Sequence, residues 1–361
     1  YAKKVSAFCM WGCVIAGSVM SLFFWLFMEQ ILGLVGATPD TWELAESYLN
    51  LVCLRGPFVL ISNCFSNILR AEGQSGKAMM GQLLGNLLNI ILDPIMILGF
   101  GWNIAGAAIA TALSNGASVA FFVGEYFRLR GKTAVSLHPK YFTLRFTKPV
   151  FSVGLASALA TALGNASNMV MVGLASGYGD IPVAAYGVVK RIDQLPLNVS
   201  MGLCQGFMPL VGYNFAARNY ERMRHVSVFS WKTALVMSAC FVACFAIFAP
   251  QILHLFIPEE QTSTLGAEFL RIACLAVPLT SVNFLISYTL QAMGKGAQSA
   301  ALTFSRQGLL NIPLLILMNA TLGLYGMIWT QLVVEVIMLP VSLGMYTHTW
   351  RRLKQPNQQG I

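Results

Sequence analysis

Of 361 residues, 56% are hydrophobic and only 10% charged, with a formal net charge of +9 and a mean hydropathy of +0.66. A soluble domain carries roughly a quarter charged residues, so a water-soluble core is excluded and the apolar surface must face lipid. Outside the connecting loops no basic patch is left for a nucleic acid to grip.

Apolar runs of about 20 residues mark membrane-spanning helices. Ten are predicted, over 5–32, 43–68, 79–99, 104–128, 149–173, 186–214, 226–250, 266–291, 298–319 and 324–348. The connections 33–42, 100–103, 174–185, 251–265 and 320–323 hold neither Lys nor Arg. The alternate ones hold Lys3 and Lys4, Arg70 and Lys77, the run 128–148, Arg218 to Arg224, Lys295, and Arg351 to Lys354. By the positive-inside rule this second set is cytoplasmic. The acids Asp40, Asp180, Glu259 and Glu260 fall on the opposite side. The expectation is a multi-pass membrane protein with its C-terminus in the cytoplasm and basic loops on anionic headgroups.

Residues 27–73 recur 221 positions later. Phe27, Gln30 and Leu32 return as Phe248, Gln251 and Leu253; Cys53, Leu54 and Pro57 as Cys274, Leu275 and Pro278; Ser66, Leu69, Ala71 and Gly73 as Ser287, Leu290, Ala292 and Gly294. Six predicted helices separate the two starting points. An even number means both copies enter the membrane in the same sense, as in transporters built from parallel repeats about the membrane normal. Each copy then holds six helices, and the first has four here. The expected architecture is an all-α polytopic membrane protein of two related six-helix lobes, with ten of twelve helices present and the first two lacking. The N-lobe is placed at 1–130, a cytoplasmic inter-lobe loop at 131–148, the C-lobe at 149–350 and a cytoplasmic tail at 351–361.

Polar side chains are costly within hydrocarbon and face protein or water. In helix 79–99, Gln82, Asn86, Asn89 and Asp93 share one face, and Pro94 follows, loosening the backbone near Ile90. Tyr48, Arg55, Ser62 and Ser66 line another face, as do Thr111, Ser114 and Ser118. The second half has Ser157, Thr161, Asn165 and Asn168, then Arg191, Gln194, Asn198 and Gln205, then Gln307 and Asn311, then Gln331 and Glu335. Any one hydroxyl or amide can simply bridge helices; the aligned stripes together argue for a wet cavity. Asp93 has no cation on its own helix, so a proton or a sodium ion held with neighbouring oxygens is the expected partner of its carboxylate. Glu335 could act similarly in the second half. Asp193, near Lys190 and Arg191, reads either as an ion pair or as a site.

The eight cysteines all lie in predicted helices. Cys9 and Cys13, like Cys240 and Cys244, are one turn apart, but no His joins them and apolar packing accounts for them. His138, His225, His254 and His348 are scattered among loops and helix ends. No clustered nucleophile, cofactor box or filter motif marks an enzyme or a channel. No cofactor is expected beyond a coupling ion.

The segment from Arg70-Ala-Glu-Gly through Asn86 and Asn89-Ile-Ile-Leu-Asp93-Pro94 to Gly106-Ala-Ala-Ile-Ala-Thr111 resembles the multidrug and toxic compound extrusion family, bacterial type. So do Ala185-Tyr-Gly-Val-Val-Lys-Arg-Ile-Asp and Gly202-Leu-Cys-Gln-Gly-Phe-Met-Pro-Leu-Val-Gly-Tyr-Asn. The resemblance covers essentially the whole chain. It implies twelve helices, two lobes rocking about a V-shaped cavity, and export of amphipathic or cationic drugs and metabolites in exchange for H+ or Na+. It further implies an N-lobe ion site of Tyr48, Asn89, Asp93 and Thr111, whose first-helix Asp partner would lie in the lacking segment. Helix 149–173 has no acid where some members use a Glu, so coupling is expected in the N-lobe. The substrate cavity is expected to involve Asn86, Asn165, Asn168, Arg191, Gln194, Gln307, Asn311 and Glu335. The alternative is a lipid-linked oligosaccharide flippase of the same superfamily, with Arg55, Arg191, Arg271 and Arg306 as candidates to hold pyrophosphate.

Overall fold

In hydrocarbon a peptide group without a hydrogen-bond partner costs several kcal/mol, and a helix satisfies its own. Accordingly, every regular element among the described residues is helical. The structure is a computed structural model and describes residues 2–35, 42–129, 133, 135, 136 and 138–354. Asp40 and the tail beyond residue 354 lie outside the described residues. The chain divides into two compact units, Tyr1–Thr147 and Lys148–Ile361.

In the first unit the predicted run 5–32 forms α1 (Ala2–Leu26) and a short α2 (Met28–Val35). Next come α3 (Trp42–Ala71) and α4 (Ser75–Pro94), which continues as a π-helical turn, Ile95–Gly99. Helix α5 (Asn103–Arg128) completes the bundle. Helix α3 packs on α1, α4 and α5. Its Pro57 has no N–H for the carbonyl of Cys53, and the hydroxyl of Ser21 on α1 donates to that carbonyl instead, at 2.6 Å. The helix bends by 41° at this point.

Small residues allow the close approaches that hold helices together without a hydrophobic driving force. A Cβ on Gly17 would stand 2.8 Å from Cα of Pro57. The rings of Phe65 and Phe122 stack at 5.9 Å in the buried core with Met10 and Leu69. The basic connector packs on this unit: Phe142 stacks on Phe8 at 5.6 Å and the Thr133 hydroxyl donates to Glu72 at 2.6 Å.

The second unit holds α6 (Thr147–Ser176), α7 (Asp180–Ala216) and α8 (Tyr220–Phe256). A bent pair follows, α9 (Glu260–Cys274) and α10 (Val277–Ala292), angled at 43°. Helix α11 (Gly296–Phe304) runs through a second π-helical turn, Ser305–Leu310, into α12 (Asn311–Lys354). Gly323, at φ +62°, breaks α12 into the two predicted spans. Six described helices are long and apolar enough to cross a membrane, or eight when each bent pair counts as one. Leu98 and Leu255, 81% and 83% exposed, typify the outward apolar faces.

The repeat read from the sequence recurs in the geometry inside each unit. The bend of α3 falls at Leu54 and the α9–α10 break at Leu275 and Ala276. Gly73 (φ +78°) and Gly294 (φ +74°) close equivalent turns. Each turn is locked by the same bond, Gln74 N–H to Leu69 O at 2.9 Å and Lys295 N–H to Leu290 O at 3.0 Å.

Candidate functional site

Four polar stripes of the second unit converge on one cavity of about 540 Å³. Helix α6 contributes Ser157, Thr161, Asn165 and Asn168; α7 contributes Tyr186, Lys190, Asp193, Gln194 and Asn198. The far wall carries Phe284, Ser287 and Tyr288 of α10, Thr303 and Gln307 of the α11 run, and Asn311 and Gln331 of α12. Gly164 is what lets α6 approach that wall: a Cβ there would stand 3.0 Å from the side-chain amide oxygen Oε1 of Gln307. The Tyr186 hydroxyl donates to Asn168 at 3.2 Å, and the Asn311 amide to Gln331 at 3.4 Å. The volume and the mixed lining suit a drug-sized molecule.

The sequence puts Glu335 in this cavity, but the structure places it behind the wall. Its side chain has no exposed surface, and Arg306 from the π-helical turn pairs with it at 3.0 Å. Gln331 and Asn283 donate to the same carboxylate at 2.9 and 2.7 Å, and the Arg306 guanidinium sits 4.3 Å from the Phe284 ring centre. A charge this deep is tolerable only when paired and hydrogen-bonded, so packing took Glu335 out of the lining. Arg191 is exposed and opens on a smaller pocket of about 260 Å³ that shares Asn168, Tyr186, Lys190 and Gln194.

Asp193 lines the main cavity although the sequence left its role open. Its Oδ1 is fully buried and has no hydrogen-bond partner. No salt bridge joins it to Lys190 or Arg191 among the described residues. The signal was the face Tyr186, Lys190, Asp193, at spacings of four and three, masked by helix spacing that also suits an ion pair.

In the first unit, the Asn89 amide donates to Asp93 at 3.1 Å and reaches the Thr111 hydroxyl oxygen at 3.5 Å. Thr111 gives its own proton to Ala107 O, at 2.8 Å, so its oxygen is free to accept. All three side chains are half-buried. Among the described residues no Lys or Arg pairs with Asp93. The carboxylate and the hydroxyl offer hard oxygen atoms of the kind that take a proton or an alkali cation, and the Asn89 amide N–H bridges them. Tyr48 is 43% exposed and makes no hydrogen bond to the three, and Asn86 is exposed one turn earlier on α4. No cluster of three or more His, Cys, Asp or Glu suited to a metal occurs among the described residues.

The MatE family model matches residues 2–95 and 143–317. The chain is 32% identical over 335 residues to the multidrug export protein MepA of Staphylococcus aureus (strain MSSA476), covering 92% of this chain and 74% of that relative. It is 31% identical over 335 residues to MepA of Staphylococcus saprophyticus, covering 93% and 74%. Among solved structures, MATE in complex with MaL6 aligns with a TM-score of 0.90 at 25% identity, over 98% of this chain and 80% of that one. An outward-facing multidrug resistance MATE family transporter of the MOP superfamily shares the fold, with a TM-score of 0.91 at 24% identity over 98% and 80%. The chain belongs to the MatE family of multidrug efflux transporters.

Proposed function

We propose that this protein is a secondary antiporter of a bacterial cytoplasmic membrane, exporting amphipathic organic cations by alternating access in exchange for H+ or Na+. The observation that carries the reading is the Asp93, Asn89 and Thr111 cluster: an intramembrane carboxylate held by one amide N–H that also reaches a hydroxyl oxygen, with no basic partner among the described residues. Such a group costs stability unless it binds something, and a coupling ion is the simplest occupant. Tyr48 and Asn86 would complete the vicinity of this site, and the cavity lined by Asn165, Asn168, Gln194, Gln307 and Asn311 would hold the cargo. The export proteins of two staphylococci that resemble this chain support the cargo class. The C-terminus is placed in the cytoplasm, and the protein works as a monomer among lipids without a cofactor.

A pyrophosphate-binding flippase is disfavoured because two of its four candidate cations are engaged elsewhere. Arg306 is bound to Glu335, and the Arg271 side chain donates to Ala246 O at 3.2 Å. Asp93→Asn, which keeps size and polarity but cannot ionise, tests the coupling site. In everted vesicles a fluorescent dye should no longer drive pH- or Na+-linked exchange, while membrane expression stays normal. Exchange equal to that of the unmodified protein refutes the assignment.

A further inference from the structure

The cavity wall of the second unit contains two charged residues among those described, Lys190 and Asp193, one turn apart on α7. They form no salt bridge with each other. Everything facing them from α6, α10, the α11 run and α12 is neutral, because Arg306 is turned away onto Glu335. The Tyr186 hydroxyl, one further turn along α7, spends its proton on Asn168. Asp193 is thus a half-buried carboxylate in the cavity wall, with Oδ1 closed off and without a donor and the other oxygen also receiving no hydrogen bond from the described residues. A buried acceptor left unmatched costs the full desolvation of that group.

We propose that Asp193 is the docking point for organic cations that carry an N–H, namely protonated primary, secondary or tertiary amines and amidiniums, in preference to quaternary ammonium ions. An N–H cation supplies a charge-assisted hydrogen bond to the second carboxylate oxygen, which is not closed off and accepts no hydrogen bond from the described residues. A quaternary ion offers charge without a donor and leaves that oxygen unmatched. The apolar body of the ligand rests against Met171, Leu197, Met201, Phe284 and Leu315. Lys190 acts against the ligand, because its ammonium competes for the same carboxylate field from one turn away. The proposal rests on the export reading for its cargo class, but its site is separate from Asp93.

The test is binding to the purified protein in lipid nanodiscs, measured by calorimetry. The probes are a dimethylaminopropyl acridine and its trimethylammonium counterpart, which share one ring system. The unmodified protein should bind the tertiary amine about tenfold more tightly, the lower end of what a hydrogen bond to a charged group is worth. Asp193→Asn should bring the two probes within about twofold, Asp193→Glu should retain the preference, and Lys190→Gln should tighten the amine several-fold. Opposite signs at two positions on one helix face are not produced by a loss of folding.

Equal binding of the two probes by the unmodified protein overturns the proposal, as does an Asp193→Asn variant that keeps the preference. Displacement of neither probe from the cavity by excess Na+ is expected; competitive displacement by Na+ would make Asp193 an ion site and overturns the amine assignment. Asp93→Asn separates the two ideas, because it should keep the amine preference while ending coupled exchange. Exchange that survives this substitution would sink the coupling reading alone.

Discussion

Replacing Arg306 by Met tests the ion pair behind the cavity. The change removes the guanidinium at 3.0 Å from Glu335 and leaves a carboxylate with no exposed surface. Breaking a buried pair from one side costs about 3–5 kcal/mol. Here Gln331 and Asn283 still donate to Glu335 at 2.9 and 2.7 Å, which holds the loss near the lower end, about 3 kcal/mol. For a unit of this size that is a fall in Tm of roughly 6–12 °C. Removing both charges, with Arg306→Met and Glu335→Met together, leaves no orphaned ion and should recover to within about 1 kcal/mol of the parent. Thermal unfolding of the four proteins in one detergent closes a double-mutant cycle. A single Arg306→Met variant that loses under about 1 kcal/mol, or additive single changes, refutes the claim that charge pairing fixes this wall.

Two packing features make further predictions. Gly17→Leu places side-chain atoms where even a Cβ would stand 2.8 Å from the Pro57 backbone, and should cost about 1–3 kcal/mol; crosslinking between cysteines introduced in α1 and α3 should weaken with it. Gly73→Ala and Gly294→Ala meet no atom within 4 Å, yet both sit at positive φ, so each should lose about 1–2 kcal/mol from backbone strain alone, seen as equal falls in thermal stability. Unequal losses would show that the two turns are not mechanical equivalents.

Much of the fold was legible because its cause is periodic. The 221-residue offset predicts that whatever Pro57 does to one helix Pro278 does to another, and both bends appear, at 41° and 43°. The face carrying Asn89 and Asp93 was readable from four-residue spacing, since a hydrogen bond one turn along a helix needs no tertiary information. Glu335 was misjudged because its partner lies on a π-helical turn 29 residues upstream, and the turn is set by packing that no local pattern records. Asp193 stayed ambiguous for the opposite reason. Lys190 stands at a spacing that ordinarily pairs, and only coordinates reveal that the pair is not made.

The second π-helical turn has a consequence for the surface a solute would meet. Thr303, Gln307, Asn311 and Leu315 all face the cavity and are spaced by four residues throughout. In a regular α-helix each such step drifts sideways by about 40°, so three steps would wind the row roughly 120° around the rod and carry its lower members off the wall. A π turn absorbs one additional residue, about 100° of rotation, and cancels most of that drift. The hydroxyl and the two amides therefore stand closer to single file than to a spiral, and a molecule moving along this wall would meet one polar group after another with little sideways drift.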